Sequence, residues 1–158
     1  MPAYDDDMFA HTRLRFLIVP AALAGLLLLG SWTLWRVTGR RREHRYDALI
    51  QAAASRYGVD PGLIAAVIWR ESGFRANRVG RAGEVGLMQV REPAARDWAR
   101  ASSLTDFRAT DLTDPGTNIL AGTWYLSRAL RRWSARDCPA AYALAEYNAG
   151  PTHARRWA

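Results

Sequence analysis

From Phe16 to Trp35 the chain runs for twenty residues without a single charged side chain, and this restricts what it can fold into more than any other feature. About 20 apolar helical residues match the thickness of a bilayer's hydrocarbon core. The run therefore separates a short N-terminal tail from the part that folds in water. At 158 residues the chain has room for one well-cored domain and not for two. Trp32 and Trp35 fall where aromatic side chains favour a membrane interface. A cleaved signal peptide is the competing reading, because Arg13 and Arg15 precede the run. The run is longer than an ordinary h-region of about 7–15 residues, and no small-x-small triplet follows Leu29, which favours an uncleaved anchor. The expected organisation is a tail at 1–15, a transmembrane helix at 16–35, a basic linker at 36–46 and a folded domain at 47–158.

The formal net charge of +7 comes from arginine alone, with 22 Arg and no Lys. Residues 46–158 hold fifteen arginines against eleven acids, so the folded part itself carries +4. A basic surface suits anionic partners, but a solvated face explains most of these arginines. No basic stretch with interleaved aromatics marks a nucleic-acid site, and nucleic acid is not expected as a partner. Cys138 is the only cysteine, which excludes an intrachain disulfide or a cysteine metal cluster. His11, His44 and His153 are scattered, so no metal and no cofactor is expected.

Past the linker, proline and glycine divide the chain into helical stretches with almost no strand-like alternation, predicting an all-α domain. Asp47 is positioned to cap a helix whose apolar residues Leu49, Ile50, Ala53, Ala54 and Tyr57 recur at helical spacing before Gly58. Asp60-Pro61 predicts a second helix, Glu92-Pro93 a short one through Trp98, Asp114-Pro115 a longer one, and Pro139 another ending near Tyr147.

The second helix carries the chemistry. Leu63, Ile64, Val67 and Ile68 form an apolar stripe, and extending it by three or four positions reaches Glu71. Burial and the negative end of the helix dipole both disfavour a charged carboxylate there, so its pKa should rise. A carboxylic acid kept protonated near neutrality is what donating a proton to a glycosidic oxygen requires. The plainer alternative is a glutamate that turns to solvent or pairs with Arg70 or Arg75.

Two further strings bear on this choice. In Gly86-Leu87-Met88-Gln89-Val90 a strongly polar side chain interrupts an apolar run, flanked by glycines that permit close approach or unusual dihedrals. A buried glutamine needs partners, and sugar hydroxyls or N-acetyl groups would serve. Tyr147-Asn148-Ala149-Gly150 ends a helix and leads into Pro151, a turn suited to aiming a phenol and an amide into a cleft. Taken singly, each string is more often a turn or a piece of core.

As an ordered set with Glu71-Ser72-Gly73-Phe74, and with Asp114-Pro115, Asn118-Ile119 and Tyr125-Leu126 between them, they resemble the SLT-type lytic transglycosylases, lysozyme-like helical enzymes that cut bacterial peptidoglycan. The resemblance covers roughly residues 47–157. It implies a lysozyme-like fold with Glu71 as the sole catalytic acid/base. Glu71 would cleave the bond between N-acetylmuramic acid and N-acetylglucosamine while the muramic C6 hydroxyl closes a 1,6-anhydro ring. Ser72, Met88, Gln89, Tyr147 and Asn148 would bind substrate, and peptidoglycan glycan strands would be the partner. No second carboxylate is then needed, unlike in ordinary glycosidases, and Glu84, Asp97, Asp106 and Asp111 read as solvated. Trp98 and Trp124 could stack on sugar rings but read as core aromatics.

Two departures stand out. Glu146 takes the place of the family's usual alanine before the tyrosine; a groove-facing Glu146 would tilt the chemistry toward hydrolysis, and a solvent-facing one is the expectation. Only eight residues follow Gly150, so the domain reads as C-terminally short. A hydrolytic muramidase and a non-catalytic peptidoglycan-binding subunit are the alternatives. A wall substrate implies a single-pass inner-membrane protein with its domain on the periplasmic side. The arginines at 36, 40, 41, 42 and 45 oppose that orientation under the positive-inside rule.

Overall fold

The computed structural model describes residues 43–157. The expected anchor at 16–35 and most of the linker lie outside the described residues. Among those described, no helix is long and apolar enough to cross a membrane.

Six α-helices form the described part: α1 (Asp47–Tyr57), α2 (Pro61–Ser72), α3 (Glu92–Ala101), α4 (Pro115–Arg132), α5 (Pro139–Ala149) and α6 (Pro151–Arg156), with a 3-10 turn at Ala109–Thr113. The fold is helical, as the punctuation predicts. Asp60 accepts a hydrogen bond from the Leu63 amide (2.9 Å) and Asp114 one from the Thr117 amide (2.8 Å), so both Asp-Pro pairs start helices by satisfying an otherwise orphaned N–H. Gly58 closes α1 in the left-handed conformation at φ 65°. Asp47 does not cap α1. It lies inside the first turn, with Tyr46 at the cap position, and its carboxylate meets the His44 ring at 2.9 Å.

The longest helix, α4, packs against α1, α3, α5 and the 3-10 turn. Ile119 and Leu126 on α4, Ile64 and Ile68 on α2, and Leu87 and Leu112 from the connections are all essentially inaccessible to solvent. Fully burying such side chains contributes about 1.5–3 kcal/mol each. Between α2 and α3 the chain makes a β-like loop, with antiparallel bridges pairing Val79 with Val85 and Val85 with Val90. The sequence pattern did not predict α6, whose six residues lack a full apolar period; only Ala154 on it is buried.

Candidate active site

The stretch Glu71-Ser72-Gly73-Phe74 divides its work by helical phase. The apolar stripe of α2 runs through Ile64 and Ile68 to Ser72, which is completely buried and whose hydroxyl donates to the Ile68 carbonyl at 3.0 Å. Glu71 lies at the edge of that stripe, half-buried. Gly73 then ends the helix at φ 58°, and Phe74 follows at φ 59°, uncommon for a residue with a side chain. Phe74 tolerates this because its ring is buried and stacked parallel to Tyr46, centroids 6.4 Å apart. The expectation that Ser72 touches substrate or orients Glu71 is therefore corrected: its hydroxyl is used within its own helix and it faces away from the cleft.

Glu71 opens on two adjoining cavities, one of about 520 Å³ and one of about 360 Å³, both also walled by Tyr147 and Asn148. The larger is completed mainly by Glu84, Gln89, Arg91, Gly122, Tyr125 and Pro151. The smaller is completed by Leu63, Arg70, Leu144 and their neighbours on α2 and α5. The acid thus stands partway along a groove. Burial raises its pKa above the ordinary value; Arg70 and Arg78 pull it back and Glu84 pushes it further up. Among the described residues no hydrogen bond or ion pair engages its carboxylate. The pairing with Arg70 or Arg75 does not form, and Arg75 instead donates from Nε to the Ser72 carbonyl at 2.9 Å.

Tyr147 comes from the last turn of α5. Its hydroxyl donates to the Met88 carbonyl at 2.8 Å, and its ring meets Tyr125 edge-on with centroids 5.7 Å apart. Burial, the Glu71 charge and Tyr125 all push the phenol's pKa far up, so it remains a neutral donor. Asn148 beside it is exposed to the groove. Gly150, at φ 82°, turns the chain into α6, whose Pro151 forms part of the wall.

The Gly86–Val90 string is held from below. Asn118, fully buried on α4, accepts from the Met88 amide at 2.8 Å and donates to the carbonyls of Val85 (2.8 Å) and Leu112 (2.9 Å). A side chain at Gly86 would collide with that amide, and a Cβ at Gly122 would sit 2.6 Å from the Met88 sulfur. Met88 is accordingly inaccessible, wedged against α4. It does not line the groove as expected but supports Tyr147 through its carbonyl. Gln89 does line it, at a left-handed φ of 48°, and its amide donates to the carbonyls of Gly86 (2.8 Å) and Arg78 (3.1 Å). With both donors used within the loop, its oxygen is the atom left for a ligand.

Two acidic residues depart from expectation. Glu146 is neither in the groove nor in solvent; it is 1% exposed, ion-paired with Arg132 and accepting from Trp133 Nε1 at 2.8 Å. Glu84 lies in the groove wall, half-buried, and accepts from the Ala82 amide at 3.0 Å. Asp97, by contrast, is exposed and paired with Arg100. Trp98 is core, bonded to the Tyr57 hydroxyl at 2.8 Å, and Trp124 lies under Arg128; neither reaches the groove. The sequence reading missed Tyr125 and Glu84 as wall residues. Tyr125 had a signal, since it follows Gly122 by three positions on the same face of α4. Among the described residues, no group of three or more His, Cys, Asp or Glu converges as a metal site requires.

Comparison with known proteins covers the same stretch. Residues 48–158 match the family model described as the transglycosylase SLT domain. The membrane-bound lytic murein transglycosylase C of Salmonella arizonae is 36% identical over 125 residues, taking in 77% of this chain and 33% of that protein. Among solved structures, an inactive mutant of the lytic transglycosylase Slt from Pseudomonas aeruginosa superposes with a TM-score of 0.63 at 28% identity, over 70% of this chain and 17% of that one. The 70 kDa soluble lytic transglycosylase SLT70 of Escherichia coli gives 0.63 at 26% identity, over 71% and 18%. The chain spans about a third of the length of the curated relatives it matches.

Proposed function

Because the chain belongs to the transglycosylase SLT domain family, we propose that it cleaves peptidoglycan glycan strands between N-acetylmuramic acid and N-acetylglucosamine, leaving 1,6-anhydromuramic ends. The observation that carries this reading is Glu71 itself, a half-buried carboxyl with a raised pKa and no ion-pair partner among the described residues, standing where two cavities of one groove meet. An acid so placed donates its proton to the glycosidic oxygen as the bond to C1 breaks. The resulting carboxylate then takes the proton of the C6 hydroxyl, whose oxygen closes on C1. One group serves both steps, and no water is consumed.

Asn148 and the Gln89 oxygen contribute polar contacts to the sugar, Tyr147, whose O–H is held by the Met88 carbonyl, a neutral wall beside the acid, and Arg70 and Arg91 a positive charge in each of the two cavities. A hydrolytic muramidase is the second reading, favoured by one observation, the Glu84 carboxyl in the same wall as Glu71. The two differ in their products. In our reading the full chain, solubilised in detergent and incubated with purified peptidoglycan, releases muropeptides with anhydro ends. Reducing ends alone would assign it to the hydrolases, and equal activity in wild type and Glu71→Gln would remove Glu71 from the mechanism.

The domain division and the anchor at 16–35 are part of the same proposal. The relatives named membrane-bound support membrane association, and a wall substrate requires residues 47–158 on the outer side of the cytoplasmic membrane. Proteolysis of intact spheroplasts tests the orientation: the domain should be digested from outside without permeabilisation.

A further inference from the structure

Among the described residues Glu84 is the one carboxyl that shares the larger cavity with Glu71, and the two approach it from different elements: Glu71 from the end of α2, Glu84 from the loop between α2 and α3. The loop holds Glu84 in place. Val79 and Val85 pair across it, the Gly80 amide donates to the Glu84 carbonyl at 2.7 Å, and the Ala82 amide donates to the Glu84 carboxylate at 3.0 Å. Gly80 leaves room for this, since a Cβ there would run into the Glu84 carboxylate and come within 3.1 Å of its Cβ. No arginine pairs with Glu84 among the described residues. It is a fixed, uncompensated negative charge facing a saccharide-sized cavity.

Resting on the function proposed above, we propose that Glu84 is a second functional carboxylate of the groove, stabilising the positive charge that develops at C1 as the glycosidic bond breaks. A preorganised charge is effective because nothing must reorient when the charge at C1 appears. The role is electrostatic: Glu84 forms no bond to the sugar and removes no proton. Its charge also favours the protonated form of Glu71.

The test compares the full chain with Glu84→Gln, which keeps the acceptor for the Ala82 amide but removes the charge. On purified peptidoglycan kcat should fall by at least about tenfold with KM little changed, as for an interaction made only in the transition state. The groups facing Glu71 are Arg70 on its own helix, Arg78 and Glu84 from the loop, and Tyr147 from α5. Removing the Glu84 charge leaves the two arginines dominant, so the alkaline limb of the pH–rate profile should move to lower pH. Unchanged kcat with an unmoved limb overturns the inference while leaving the function intact. Selective loss of reducing-end products, with anhydro products undiminished, overturns it in favour of a base that activates water. A wild-type chain that releases no muropeptides removes the function itself and this inference with it.

Discussion

The ends of α2 and α5 each carry a glutamate that leaves bulk water on folding, and the two are treated in opposite ways. Glu146 on α5 is almost fully buried, yet each carboxylate oxygen has a partner, Arg132 for one and Trp133 Nε1 for the other. Glu71 on α2 is less buried and has no partner among the described residues, only nearby charges of both signs. Burial alone therefore does not mark a reactive carboxyl; burial without compensation does. A carboxylate whose two oxygens are both engaged holds structure together. An unpaired, partly buried one has its pKa raised, which favours the protonated form that a general acid needs.

The contrast is sharpest in activity. Glu71→Gln should lower turnover by at least about 10²–10⁴-fold, the usual loss on removing a general acid/base, and peptidoglycan digestion with mass analysis of the products measures it. Glu146→Ala should act mainly on stability. Removing one partner of a buried pair costs about 3–5 kcal/mol, but Arg132 is 38% exposed and can reach water, so a loss of about 2–3 kcal/mol in urea denaturation is expected. If Glu146→Ala instead leaves stability intact and abolishes turnover, the division between the two glutamates collapses.

Smaller effects probe the frame that joins the two helix ends. Gly122→Ala gains up to about 1 kcal/mol of helix propensity but places a methyl within 2.7 Å of the Met88 Cβ and sulfur. Overpacking of about 1–3 kcal/mol outweighs the gain, so the thermal midpoint should drop. A rise would mean that Met88 relaxes freely. Tyr147→Phe removes one hydrogen bond to the Met88 carbonyl, worth about 0.5–1.5 kcal/mol, and should lower kcat more than it raises KM. The smallest effect concerns pH. Because the folded-state pKa of Glu71 is raised, the folded protein holds that proton more tightly than the unfolded chain, and stability declines as pH rises from the ordinary carboxyl range through the raised value. Glu71→Gln should therefore be slightly more stable than wild type at neutral pH while nearly inactive, and equal to it in acid. Greater stability of the wild type at neutral pH would mean that its carboxylate has a partner after all.

Much of this was legible before any coordinates. Asp60-Pro61, Asp114-Pro115 and Pro139 start helices through interactions confined to one turn, and the stripe on α2 brings Glu71 to its edge by counting alone. Residues whose roles depend on distant partners were not legible. Met88 stands next to the groove residue Gln89, but Gly122, 34 positions later in the sequence, opens a slot that draws it inward. Ser72 reads as polar, yet α2's own Ile68 carbonyl satisfies it in the core. Glu146 stands in the same string as Tyr147 and Asn148, but a one-residue step rotates it about 100° around α5, toward Arg132 and Trp133.

The sequence by itself determined the helical class, the starts of α2, α3, α4 and α5, the position of Glu71 on α2 and the ordered strings that mark the family. These follow from periodicity, caps and proline geometry, which act over a few residues. Only the tertiary structure decided which acids face the groove. Glu84 reaches it because the Val79–Val85 pairing turns the loop toward Glu71's cavity, and Glu146 is excluded because Arg132 at the end of α4 and Trp133 just after it hold its carboxylate. A carboxyl's chemistry depends on the charges and solvent around it, and those neighbours come from segments the local sequence does not contain.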